Sequence, residues 1–193
     1  MITDISRDNL VESLHHLPGN GKAEIVQGEI VRMSPTGARP GRIAGRIFLS
    51  ISEYEYLNPG TGFAFGENVG FLVQLPQRSS FSPDAAWYVG PLGDNEMDFL
   101  PGAPIFAVEV RSKGDYGQCA EQAIAEKIRD YFKAGTQVIW DVDTLGGRIH
   151  VWRADSPDVA RVYVSGEFAD AEPAVPVWTM KVDLSSVKLR ENN

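Results

Sequence analysis

Residues 81–143 read FSPDAAWYV, PIFAVEVRS, AIAEKIRDYFKAG and TQVIWDVD in that order, and this stretch constrains the fold more than any other. PIFAVEV is almost continuous in apolar residues, as a strand buried on both faces should be. Ala120, Ile124, Lys127 and Tyr131 then recur at spacings of four, three and four, the stripe of an amphipathic helix. TQVIWDVD is strand-like again, and Gly135 is a suitable helix stop before it. Strand, helix, strand in this order implies a crossover onto the same sheet. The expected class is α/β (of the α+β kind), a mixed sheet with a crossover helix.

Each of these segments also carries a charge among apolar neighbours. Asp84 opens the first strand, Glu109 sits inside the second, and Lys127 lies on the inward stripe of the helix. An ionised group removed from water costs several kcal/mol unless it is paired. Side chains alternate along a strand, so Glu109 and Arg111 share a face, and Arg111 is a natural charge partner there. Carboxylates on adjacent strands suit a hard divalent cation such as magnesium. A lysine beside them can orient or deprotonate a water, or stabilise charge on a phosphate. From spacing alone, a structural cluster in which Lys127 or Arg111 merely neutralises Glu109 stands equally open.

The flanking segments read more simply. A short helix is expected over residues 6–17, capped by Ser6, with Leu10, Leu14 and Leu17 on one face and Pro18-Gly19 at its end. GNGK has turn chemistry, and AEIVQGEIVRM reads as a strand bent at Gly28. Glu24 and Glu29 read as exposed strand residues, either of which could line a site. Residues 41–56 form the next expected helix, with Ile43, Ile47, Ile51 and Tyr54 inward. Arg39, Arg42 and Arg46 share its neighbouring face, as a solvated flank or as contacts to a nucleic-acid backbone. GFAFGENVGFLVQLP reads as one or two strands, and residues 76–80 and 91–101 as loops. Glu121, Glu126 and Arg129 cover the outer face of the central helix, and Gly146-Gly147 turns the chain into RIHVWRA.

Composition narrows the chemistry. With 193 residues, 43% hydrophobic and 23% charged, the chain suits one domain over residues 1–193, with 154–193 as peripheral strands and a polar tail. No apolar run approaches the ~18 residues of a membrane span, and MITDISRDNL lacks a secretory signature. The lone Cys119 points to a reducing, cytoplasmic setting. His15, His16 and His150 are scattered, which argues against zinc, and neither a nucleophile elbow nor a P-loop occurs. The net charge of -8 does not favour nucleic acid as a whole-molecule field; local distribution decides.

Pro83-Asp84, then Glu109 in a buried strand, then a lysine, resembles the PD-(D/E)XK nuclease superfamily. More narrowly, IVQGEIVRMSPTG, SPDAAWYV, AVEVRSKGD and EKIRDYFKAGTQVIWDVD resemble, in order, the Uma-two family of restriction-endonuclease-like proteins, over about residues 5–153. The superfamily's lysine usually stands two residues after the Glu, where this chain has Arg111; in the Uma-two pattern it comes from the following helix, and Lys127 matches it. The resemblance implies a restriction-endonuclease-like mixed central sheet flanked by helices, Asp84 and Glu109 as ligands of Mg2+ or Mn2+, and Asp84, Glu109 and Lys127 as the catalytic set. It implies an endonuclease acting on DNA; the residues themselves add Arg39, Arg42 and Arg46 as contacts to the backbone, no membrane, and a homodimer as an allowed state. The alternative is a non-catalytic nucleic-acid-binding or assembly domain that keeps the nuclease fold.

Overall fold

The computed structural model describes residues 4–18 and 21–184. The expected stop at Gly19, the turn at Asn20 and the polar tail beyond Leu184 lie outside the described residues. Helix α1 (Asp4–His15) leads to strands β1 (Ala23–Val26) and β2 (Glu29–Arg32). Ser6 therefore lies within the helix and not at its cap. The bend at Gly28 is a tight hairpin turn in which both Gln27 (φ 53°) and Gly28 (φ 77°) are left-handed, the conformation that a two-residue hairpin demands. Helix α2 (Ala38–Leu57) begins three residues before the expected start at residue 41, because Pro40 is tolerated in a first turn, where no intrahelical N–H is needed.

Strands β3 (Phe63–Phe65), β4 (Phe71–Leu75), β5 (Arg78–Phe81) and β6 (Ala85–Tyr88) follow, then the short β7 (Leu100–Pro101). The segment expected as a loop at 76–80 is thus a turn at Pro76-Gln77 leading straight into β5. Strand β8 (Phe106–Val110), helix α3 (Gln118–Lys133) and strand β9 (Val138–Asp143) make the expected crossover, with β8 and β9 parallel and Glu109 opposite Asp141. Strands β10 (Arg148–Arg153), β11 (Arg161–Val164), β12 (Phe168–Ala171) and β13 (Val175–Lys181) complete the chain.

The strands form a six-stranded mixed sheet in the order β11-β10-β9-β8-β6-β3, a five-stranded sheet β2-β1-β5-β4-β7, and the hairpin β12-β13. Alternation along β6, β8 and β9 sorts the large sheet into two faces. Ala85, Trp87, Phe106, Val108, Trp140 and Val142 pack on one side with Ile43, Ile47 and Ile51 of α2. Ala86, Tyr88, Ala107 and Ile139 pack on the other with Ile128 and Tyr131 of α3 and with Phe71 and Phe81 of the smaller sheet. Asp84, Glu109 and Asp141 follow the parity of this second face. The C-terminal strands are more central than a periphery: Trp178 of β13 stacks on Trp140 with ring centres 5.1 Å apart, and Val175 and Ala171 are buried beside it. Such a ring pair adds about 0.5–1.5 kcal/mol beyond burial.

The two sheets share a strand path. β5 ends at Phe81, Ser82 and Pro83 carry the chain across, and β6 begins at Ala85 in the other sheet. Asp84 stands at this seam. Cys119 is exposed near the start of α3, and no helix among the described residues is long and apolar enough to cross a membrane.

Candidate active site

Asp84 is placed by the seam. Its backbone N–H donates to Val108 O at 2.9 Å, and its Oδ2 accepts the Val110 N–H at 2.6 Å, so the carboxylate is pinned against the strand that carries Glu109. Strands β6 and β8 pair antiparallel with Ala85 opposite Val108, which makes the two acidic positions cross-strand neighbours. From α3, Lys127 reaches across with Nζ 2.8 Å from Glu109 Oε1. The structure therefore brings Asp84, Glu109 and Lys127 together on one face.

Glu24 joins them. Expected as an exposed strand residue, it is buried, because β1 lies against β5 and its alternate residues Ala23 and Ile25 pack the other way, under α1. Its Oε1 is 2.9 Å from Lys127 Nζ and accepts the Ser82 N–H at 2.9 Å, and its Oε2 is 2.5 Å from Arg78 Nη1. Arg78 also reaches the buried Asp130 at 3.2 Å. Glu29, by contrast, is exposed. Lys22, one residue before β1, places Nζ 2.5 Å from Asp84 Oδ1. The signal for both Lys22 and Glu24 was the two-residue alternation of KAEIV, which puts them on one face.

Glu109 is further fixed by the Tyr131 hydroxyl, which donates to Oε1 at 2.6 Å, while the Tyr131 ring stacks on Phe81 with centres 3.8 Å apart. The bonds from Lys127 and Tyr131 both fall on Oε1. Burial pushes the Glu109 carboxyl above its ordinary value, Lys127 and Lys22 pull it back, and Asp84 and Glu24 add to the rise. Burial alone would raise Glu24 too, but the charges of Lys127 and Arg78 hold it below the usual carboxylate value. Burial opposes the charge on Lys127, yet Glu109 and Glu24 outweigh it and hold the ammonium above the normal lysine value. Burial and the same two carboxylates keep the Tyr131 hydroxyl protonated. Lys127 is thus built to present positive charge, and the alternative role of proton acceptor disagrees with this electrostatic setting.

Arg111 does not serve Glu109. Its guanidinium forks onto Asp141, with both bonds at 2.6 Å, and onto Glu121 at 2.5 and 3.1 Å. Shared parity was a correct clue to its face, but the parallel partner strand supplies a nearer carboxylate there. Glu121, expected to cover the outer face of the helix, is its second partner. Arg39 donates to Leu184 O at 2.8 and 3.1 Å, Arg46 to Asp183 O at 3.3 Å, and Arg42 is exposed. All three belong to α2, which packs on the other face of the large sheet, so the structure does not join them to the acidic cluster.

The cluster opens into a cleft of about 570 Å3 whose lining includes Lys22, Glu24, Asp84, Glu109, Arg111 and Lys127. Among the described residues no three His, Cys, Asp or Glu side chains are arranged to hold a metal ion. What remains is a two-carboxylate donor set, Asp84 and Glu109, in an open cleft. That fits a hard cation that keeps several waters, as magnesium does, and not a closed protein cage.

The family model described as "Putative restriction endonuclease", Uma2, matches residues 11–184. The crystal structure of a putative nuclease belonging to DUF820 from Anabaena variabilis is similar, with a TM-score of 0.69 and 17% identity over 89% of this chain and 94% of that one. At this identity the likeness is one of fold. No curated protein matches the chain.

Proposed function

The chain belongs to the Uma2 family, and from that premise we propose that it is a divalent-cation-dependent endonuclease that hydrolyses phosphodiester bonds in DNA. The observation that carries this reading is the pairing of Asp84 and Glu109 on adjacent strands with Lys127 at 2.8 Å from Glu109, all facing one open cleft. Asp84 and Glu109 would hold Mg2+ or Mn2+, which when bound supplies charge on the phosphate and acidity to a water. Lys127, kept protonated by Glu24 and Glu109, faces the negative charge that grows on the phosphate as a water oxygen bonds to phosphorus and the sugar oxygen leaves with a proton. Tyr131 and Phe81 hold Glu109 in place for its ligand role.

A second reading rests on Lys22. An ammonium already satisfies Asp84, so the same cluster is consistent with a non-catalytic nucleic-acid-binding or assembly domain that needs no metal. Incubation of the purified chain with DNA and RNA substrates, with magnesium or manganese and with Asp84→Asn as control, separates the two. Metal-dependent cleavage of DNA that Asp84→Asn lacks supports the nuclease. Cleavage that persists in Asp84→Asn, or none with either metal, removes it.

A further inference from the structure

We propose that Lys22 is an internal stand-in for the divalent cation at Asp84, so that metal binding must displace its ammonium. The inference rests on the reading of Asp84 and Glu109 as metal ligands, and it adds a residue that competes with the metal.

Three observations converge on it. Lys22 Nζ sits 2.5 Å from Asp84 Oδ1, with only 13% of the lysine side chain and 16% of the aspartate exposed. The other oxygen of Asp84 is held by the Val110 N–H at 2.6 Å, so the carboxylate is not free to turn away from the lysine. Lys127 is not available to replace it, being shared between Glu24 at 2.9 Å and Glu109 at 2.8 Å. A pinned carboxylate in a half-buried cleft requires a counter-charge, and here one particular side chain supplies it.

Charge and mobility make Lys22 displaceable where Lys127 is not. Glu24, Asp84 and Glu109 are met by the ammoniums of Lys22 and Lys127, with Arg78 shared between Glu24 and Asp130. Exchanging one monocation for a divalent ion brings these three carboxylates closer to neutrality. The Lys22 backbone is tied down, since its carbonyl accepts the Met33 N–H at 2.9 Å, but it lies outside β1 and its side chain has a flexible four-carbon stem. The ammonium can therefore swing into the cleft without disturbing the strand. Displaced, it remains near enough to meet a phosphate. In the metal-free state, the same ion pair spares Asp84 and Glu109 their mutual repulsion.

The test is binding and not catalysis: calorimetric titration of Mn2+ into the wild-type chain, Lys22→Met and Lys22→Gln, with thermal melts in parallel. Removal of the competing charge should tighten Mn2+ binding by about tenfold or more, roughly 1.4 kcal/mol, while lowering the metal-free melting temperature. Lys22→Gln keeps a polar group at Asp84 and serves if Lys22→Met does not fold. Equal or weaker binding in the neutral variants overturns the proposal, as does absence of binding in all three proteins, which also removes metal ligation by Asp84 and Glu109. Binding that appears only in the variants supports it strongly. A wild-type chain that binds Mn2+ but cleaves nothing defeats the nuclease reading alone, and the affinity ratio still judges Lys22.

Discussion

Lys127 and Arg111 line the same cleft, yet one is shared between carboxylates of two sheets while the other is closed within a fork. Lys127 touches Glu24 of β1 and Glu109 of β8, and its side chain is 17% exposed. Arg111 gives paired bonds to Asp141 and again to Glu121. A compact ammonium with one contact to each carboxylate can meet an incoming anion without leaving either of them. A planar guanidinium already bonded along two edges gives up matched geometry to do so. Of the two cations, the one two residues after Glu109 is locked into a structural fork, and the one on the helix is the freer to serve the proposed chemistry.

The sharpest way to break the comparison is to remove each cation. Lys127→Met should lower phosphodiester cleavage by ~100- to 10,000-fold while Mn2+ still binds, measured by single-turnover cleavage and calorimetry. Arg111→Lys should keep partial activity. An active Lys127→Met beside an inactive Arg111→Met would invert the assignment. Stability should fall in both variants, since Lys127→Met leaves the buried Glu24 with Arg78 as its remaining cation. Arg111→Met strands the Asp141 charge, 3% exposed, and should cost about 3–5 kcal/mol in urea unfolding, with the exposed Glu121 contributing little.

Glu109 sharpens it through pH. Burial raises its folded-state pKa above the ordinary 4.5, so between those two values the folded chain holds more protons than the unfolded one. Stability contributed at this position is therefore lost as pH rises from about 4.5 through the folded value. Glu109→Gln has no such loss, and its melting temperature relative to wild type should climb across that window. A flat difference between pH 4 and 7 would count against the burial cause. The smallest effect is expected from Tyr131→Phe, which removes one hydrogen bond to Glu109 but keeps the Phe81 stack. It should cost about 1 kcal/mol, or ~2–4 °C in melting temperature, with a larger proportional loss in metal affinity than in stability.

The β8–α3–β9 core was legible because its signals are local: a continuous apolar run, a helical stripe and a glycine stop. Asp84, Glu109 and Lys127 converge for the same reason, since strand parity and helix phase each follow from neighbours in sequence. Lys22 and Glu24 depended on β1 meeting β5, a pairing more than fifty positions away that no local pattern specifies. The partner of Arg111 was hidden in the register between β8 and β9, which sets Asp141 beside it. Trp178 looked peripheral because its stacking on Trp140 is likewise a long-range fact. The arginines of α2 were illegible for a different reason. A charged face on a helix does not reveal which side of a sheet the helix will cover.

The path of the chain through Ser82 and Pro83 has a mechanical consequence. Glu24 belongs to the smaller sheet, Glu109 to the larger, and Lys127 on α3 rivets the two. Any tilt of one sheet against the other stretches that rivet first, and with it the cleft. Loss of the site's geometry should therefore run ahead of global melting, so that the spacing of three side chains acts as a gauge of how the two sheets are clamped.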